Sequence, residues 1–297
     1  MGSGIVNPNS SKEVITVIEN RKTAPGKSCE VIVDGKVWDI QKDSAENRYT
    51  NPHWAHLRTG RNGSEIGYLF PQEMNIDTKS CLRQGVWQDI NTYHPFLSEE
   101  PILNRYIIFS VNHGASPQEA TYAYAIYPEI SVEMMEQEAQ TPRFTILDNR
   151  REVSAIAKDE VVLANFWEKG SLSDGRIEIS APASIAMERC GEELNLTITD
   201  PTQTSKKLIL TLQGEYYPLE ADTRILLVCP QGGKTTIQIN TENLFGTGIN
   251  LLLTQKKENR GETLRSLSQN FETGGHQSQN GYLPPTLCPA IQTDDRS

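Results

Sequence analysis

His113 stands between two strand-like runs in IIFSVNHGASPQEATYAYAIYP (107–128), where a single imidazole can serve as general base, metal ligand or structural turn residue. A second cluster, NPHWAHLRTGRNGSEIGYLF, holds His53, Trp54 and His56. The two histidines are three apart, not the two of a strand face or the four of a helical pair, and no acidic cluster accompanies them; a metal site is disfavoured. Arg58 and Arg61 in the same stretch can meet an acidic ligand, or be solvated charges of a loop joining two strands. In RQGVWQDIN, Trp87 lies close to Arg83 and Asn91. An aromatic ring that stacks on a sugar face, beside groups that fix its hydroxyls or carboxylate, is a carbohydrate-binding pattern. The plainer alternative is a core tryptophan next to a turn.

Other catalytic patterns are missing. GxSxG, HExxH, P-loop and GxGxxG sequences do not occur. Glu99-Glu100 and Glu192-Glu193 read as solvated turns. The five cysteines (Cys29, Cys81, Cys190, Cys229, Cys288) are widely spaced and form no CxxC pair, which favours buried free thiols over a metal site. No metal and no cofactor is implied.

The elements that must position these residues are short β-type runs. EVITVIENR (13–21), CEVIVDGKVWDI (29–40), EIGYLF (65–70), NRYIIFSVNHG (104–114) and ATYAYAIYP (120–128) are rich in Val, Ile, Tyr and Phe, several with period two. Asp34-Gly35 between two such runs is a hairpin signal. TYAYAIYP reads as one strand with Tyr122, Tyr124 and Ile126 on one face, stopped by Pro128. The acidic ISVEMMEQEAQTP then reads as a linker that can hold one helical turn. Strand-like runs resume from RFTILDN to INLLLTQ at the 8–12-residue spacing of an antiparallel sandwich. From about Lys256 the chain is dominated by Ser, Gln, Asn, Gly and Pro, a disordered composition. The expected divisions are 1–128, a linker 129–140, 141–254, and a polar tail 255–297.

The chain has 297 residues, 37% hydrophobic, with a net charge of −10. That size holds two domains. The acidity, without a basic stripe, argues against a nucleic-acid binder, which needs clustered cations. No apolar run reaches membrane-span length, and the N-terminus lacks a signal-peptide pattern.

Several stretches together resemble polysaccharide lyase family 8, which includes hyaluronate, chondroitin AC and xanthan lyases. They are GSGIVN…VITVIENR, VIVDGK, HWAHL…EIGYLFP, RQGVWQDIN, IFSVNHGASPQEATYAYAIYP, FTILDNRREVSAIA, LANFW and LNLTITDPTQ, in the family's order. The resemblance implies an all-β chain: the later part of a large antiparallel β-sandwich (supersandwich) over 1–128, then a smaller C-terminal β-sandwich over 141–254. It implies β-elimination on acidic polysaccharides, in which a carboxylate is neutralised and Tyr and His exchange protons. Those catalytic groups belong to an α/α toroid with no counterpart in this sequence. No catalytic residue is therefore assigned here, and a toroid domain encoded upstream is the implied partner. His113 resembles the family's NHG histidine, a non-catalytic position, so His113 and Gly114 read as structural. Arg83, Trp87, Asn91 and Arg58 are the substrate-binding candidates, and the family implies an extracellular setting. The competing readings are a stand-alone carbohydrate-binding or scaffold module and an adhesion-type sandwich without a sugar ligand.

Overall fold

The computed structural model describes residues 1–8, 11–23, 29–40, 44–60, 65–91, 93 and 100–256, and the backbone of 286–287. Arg61 and Glu99 lie outside the described residues, as does most of the tail. The chain divides into units 1–143 and 144–297.

In the first unit the strands are β1 (Gly2–Ile5), β2 (Glu13–Lys22), β3 (Glu30–Val33), β4 (Lys36–Trp38), β5 (Ser44–Thr50), β6 (Trp54–Arg58), β7 (Glu65–Leu69), β8 (Asn75–Gly85), β9 (Ile102–Ala115), β10 (Ala120–Tyr122) and β11 (Ala125–Pro128). Helix α1 (Val132–Gln140) follows. A five-stranded sheet, β11-β7-β6-β3-β4, and a four-stranded sheet, β2-β9-β8-β5, enclose one core. The core follows from strand parity. Val31 and Val33 of β3, Ala55 and Leu57 of β6, and Ile107, Phe109 and Val111 of β9 alternate inward. Asp34 and Gly35 turn β3 into β4 with φ of 45° and 75°, the left-handed pair of a tight hairpin. The Asp34 carboxylate also accepts from the backbone N–H groups of His53 and Trp54, at 2.9 and 3.0 Å, tying the turn to the start of β6.

Two segments differ from their sequence reading. TYAYAIYP is not one strand: β10 pairs with β1 and β11 with β7, so the chain changes sheets at Ala123-Tyr124, and the Tyr122 and Tyr124 rings stack at 6.1 Å. The stretch read as a linker is helix α1. Ser131 caps it by accepting from the Met134 N–H at 3.3 Å, with Glu133 in its first turn, where a carboxylate complements the helix dipole. The helix seats the fully buried Met135 over β7. Tyr127 on β11 donates to Glu138 of the helix at 2.8 Å.

The second unit is a sandwich of a seven-stranded and a six-stranded sheet around its own core. Its strands alternate cleanly, as in Glu193–Thr199, where Leu194, Leu196 and Ile198 are buried. Within the tail, Thr286–Leu287 pair in parallel with the Ile225–Gln231 strand. The cysteines depart from the buried-thiol expectation. Cys229 is disulfide-bonded and Cys190 is an exposed free thiol, while Cys29 and Cys81 are free and partly buried. Burial pushes the Cys29 thiol up to about 11, so it stays protonated and unreactive at neutral pH.

Candidate functional site

Strand parity builds the site. On β9 the residues alternating with the core, Ile102, Asn104, Tyr106 and Ile108, lie on the opposite face of the four-stranded sheet. The register places Arg83 of β8 opposite Asn104, and Lys22 of β2 opposite Tyr106. After β8, a 3₁₀ turn over Trp87–Asp89 brings Trp87 back over this face. The result is a cavity of about 500 Å³ whose walls include Lys22, Arg83, Trp87, Asn104 and Tyr106. Trp87 is 50% exposed and so is not a core tryptophan. The Arg83 guanidinium carbon sits 4.6 Å from the Tyr106 ring centroid, a cation–π contact that orients it without neutralising it. Among the described residues neither Arg83 nor Lys22 has a carboxylate within ion-pair distance. Asp89 also lines the wall. Two unneutralised cations beside two aromatic rings and a carboxamide can take a flat, hydroxylated, anionic ligand.

The other candidates fall elsewhere. Asn91 does not line the cavity; its Oδ1 accepts from the Tyr93 N–H at 3.2 Å and its own N–H donates to the Trp87 carbonyl at 3.0 Å, so it closes the turn that carries Trp87. Arg58 is not in a loop but ends β6, on the other sheet. Its Nε donates to Glu65 at 2.9 Å and its Nη1 reaches Glu30 at 3.4 Å. That guanidinium already has two carboxylates. His56 is fully buried on β6 and donates from Nε2 to the Ile130 carbonyl at 2.9 Å, under helix α1, while His53 lies exposed just before the strand. No group of three His, Cys, Asp or Glu side chains gathers as a metal would require among the described residues.

His113 lies near the end of β9, its Nε2 2.9 Å from Thr16 Oγ1 on β2 and its ring 6.2 Å from that of Tyr122. Burial holds its imidazole below the ordinary histidine range. Gly114 has φ +79°, which glycine adopts without strain, and its N–H donates to Asn112 Oδ1 at 2.8 Å. Lys22, Asn104 and Tyr106 were missed by sequence reasoning. The parity of Asn104 and Tyr106, opposite to that of Ile107 and Phe109, is readable within β9, but the pairing that brings β8 and Lys22 of β2 alongside is not.

Two antiparallel sandwiches in series, the first with a polar, aromatic cavity on its outer sheet face, define the class. The family models agree: "Polysaccharide lyase family 8, super-sandwich domain" matches residues 1–139, and "Polysaccharide lyase family 8, C-terminal beta-sandwich domain" matches residues 145–209. The chain belongs to polysaccharide lyase family 8. It is 24% identical over 255 residues to hyaluronate lyase HylB of Enterococcus faecalis, covering 85% of this chain and 24% of that protein. It is 27% identical over 247 residues to the xanthan lyase of Bacillus sp. strain GL1, covering 81% and 26%. The solved xanthan lyase of Paenibacillus superposes with a TM-score of 0.78 at 21% identity, covering 86% of this chain and 25% of that one. The chain thus spans about a quarter of the length of these relatives.

Proposed function

We propose that this chain is the β-sandwich portion of an extracellular lyase acting on acidic polysaccharides by β-elimination, and that it forms one wall of the substrate path. In this reading an α/α toroid encoded upstream supplies the carboxylate neutraliser and the proton-transfer groups. The observation that carries the reading is the cavity in which Arg83 and Lys22, both without a carboxylate partner among the described residues, stand beside Trp87 and Tyr106. A uronate carboxylate pairs with Arg83 while the sugar ring lies on Trp87, and Asn104 serves the hydroxyls in the role first given to Asn91. Arg58 belongs to the scaffold, because Glu65 and Glu30 hold its guanidinium.

The test is titration with hyaluronan and chondroitin oligosaccharides at two ionic strengths, with ultraviolet absorbance of the unsaturated product followed in parallel. The chain alone binds without turnover, and binding weakens with salt. Arg83→Gln lowers affinity about tenfold, the weight of roughly 1.4 kcal/mol for a charge-assisted contact. Trp87→Ala weakens binding several-fold, and Arg58→Gln leaves it unchanged. Binding unaffected by both Arg83→Gln and Trp87→Ala removes the site; turnover by the chain alone removes the division of labour.

His113 and Gly114 are scaffold in the same reading. His113→Ala strands Thr16 Oγ1 and lowers stability by about 1–3 kcal/mol without changing oligosaccharide affinity. Since the folded-state value lies below the unfolded one, the unfolded chain takes up the proton first on acidification. Wild type therefore loses stability relative to His113→Ala as pH falls below about 6.5. Chemical denaturation at pH values on either side of that point measures both effects; an unchanged midpoint with lost binding contradicts the scaffold role.

A further inference from the structure

Cys229 lies on the Ile225–Gln231 strand and is disulfide-bonded. Its partner follows from the count. The sequence holds five cysteines, and Cys29, Cys81 and Cys190 are free thiols. Cys288, outside the described residues, is the one that remains.

The backbone reaches the same pair by a separate route. Thr286–Leu287 lies parallel to the Ile225–Gln231 strand, with Leu227 opposite Thr286 and Val228 opposite Leu287. One step further, that register sets Cys229 against Cys288. Directly opposed residues of neighbouring strands point to one face, and such strands run about 4.8 Å apart, inside the roughly 4.4–6.8 Å between Cα atoms that a disulfide spans. Proline follows each cysteine, in LVCPQ and in TLCPA, and Pro284-Pro285 precede Thr286. A proline has no N–H for the ladder, so the tail can add only a very short strand here. A parallel pairing that short does not hold by itself, and a covalent bond at its end secures it.

We propose that Cys229 and Cys288 form a redox latch: their disulfide fastens the polar tail to the second sandwich as the last strand of the six-stranded sheet, and reduction lets it go. In forming it, the two thiols give up two protons and two electrons to an external disulfide, which leaves as two thiols by way of a mixed disulfide. The latched strand covers one edge of the Ile225–Gln231 strand, whose other edge pairs with Lys234–Asn240. Uncovered, that edge is a row of unpaired N–H and C=O groups next to Leu226, which is 46% exposed, and such an edge recruits other chains. The latch persists in oxidising surroundings. It does not depend on the cavity of the first sandwich or on the ligand proposed for it.

The experiment uses the full chain, purified without reductant and equilibrated with glutathione disulfide. Alkylated in denaturant, it takes up three labels, and five after reduction. Trypsin has sites at Lys256, Lys257, Arg260 and Arg265, all before Thr286. Cut there, the native chain keeps its 266–296 peptide under non-reducing conditions and releases it on reduction; complete digestion leaves that peptide joined to 225–234. Cys288→Ser and Cys229→Ser each release the peptide without reductant, and Cys190→Ser changes nothing. Hydrogen exchange reads the sheet pairing. The amides on the latched edge of the 225–231 strand exchange at least about tenfold faster in Cys288→Ser than in the latched chain. Reduced wild type gives the same acceleration and decides the matter if a variant does not fold. Five labels without reduction, a cross-link from Cys229 to another cysteine, or edge amides indifferent to the latch overturns the proposal.

Discussion

Asp200→Ala lowers the folding free energy of the chain by about 3–5 kcal/mol, measured as a shift of the urea midpoint at neutral pH. Asp200 is fully buried at the end of the Glu193–Thr199 strand, in the TDPTQ stretch. Its Oδ1 accepts from the N–H groups of Thr202 and Gln203, at 2.9 and 3.1 Å, and from the Thr202 hydroxyl at 2.6 Å; its Oδ2 accepts from the Ser205 N–H at 3.0 Å. Truncation leaves the Thr202 and Ser205 N–H groups without their acceptor, while the Gln203 N–H keeps the Asp200 carbonyl at 3.3 Å and the Thr202 hydroxyl keeps Thr204 Oγ1 at 2.7 Å; each unmade buried hydrogen bond costs about 1–3 kcal/mol before water re-enters. Asp200→Asn costs less, because the amide oxygen still serves one side while its NH₂ faces a donor on the other. A loss under about 1 kcal/mol for the alanine variant contradicts the geometry, since it falls within the cost of a single net hydrogen bond.

The same carboxylate makes the stability of the second sandwich sensitive to acid. Burial by itself pushes the Asp200 carboxyl up, and the hydrogen bonds from Thr202, Ser205 and Gln203 together outweigh it, leaving it below the usual aspartate range. Asp148 follows the same balance: burial opposes, and Ser173, whose hydroxyl donates at 2.5 Å and N–H at 2.8 Å, joins Arg150 in prevailing. With the folded value depressed, the stabilisation is present above the unfolded value, about 3.9, and disappears as pH falls through the folded one. The wild-type acid transition is therefore steeper than that of Asp200→Ala below about pH 4.

What was readable in the sequence follows from where polarity and parity agree. The Asp34-Gly35 hairpin, the β9 run and the alternating strands of the second unit announce themselves because their inward residues are apolar. Strand β8 does not. Its inward residues between Ile76 and Leu82 are Thr78 and Ser80, both buried and both hydrogen-bonded, Thr78 to the Asn47 carbonyl and Ser80 to the Ile40 carbonyl and the Arg105 guanidinium. A strand that satisfies its core face by hydrogen bonds loses its hydrophobic period. Its edge partner β5, SAENRYT, has still less signal. The candidate site was legible in part for the same reason. Arg83 and Trp87 are close in sequence and meet in one cavity, whereas Lys22, Asn104 and Tyr106 reach it through long-range register that local pattern does not encode. Arg58 illustrates the converse: residue type suggested an acidic ligand, and the fold supplies the acids itself.

Helix α1 is where a composition-based reading goes furthest astray, and Met135→Ala tests how much the helix contributes. The segment is acidic and poor in apolar residues, yet Met135 is fully buried against Gly67 at the centre of β7, and His56 on the neighbouring strand binds the Ile130 carbonyl just before the helix. Truncating a buried methionine costs about 2–5 kcal/mol, depending on how far the helix can settle. Gly67→Ala acts from the other side. Its new Cβ runs into Met135 Sδ and comes within 2.6 Å of Ile130 Cγ2, so the helix must lift, at a cost of about 1–3 kcal/mol. The two changes are not additive: with Met135 shortened, the Sδ obstacle to the Gly67 methyl is gone and only Ile130 Cγ2 remains, so Gly67→Ala costs at least about 0.5 kcal/mol less in that background than in wild type. A double-mutant cycle in urea measures this coupling directly. Strict additivity, or a Met135→Ala loss below about 1 kcal/mol, means that the helix is not seated on β7 and that the segment serves as a tether, as its composition first suggested.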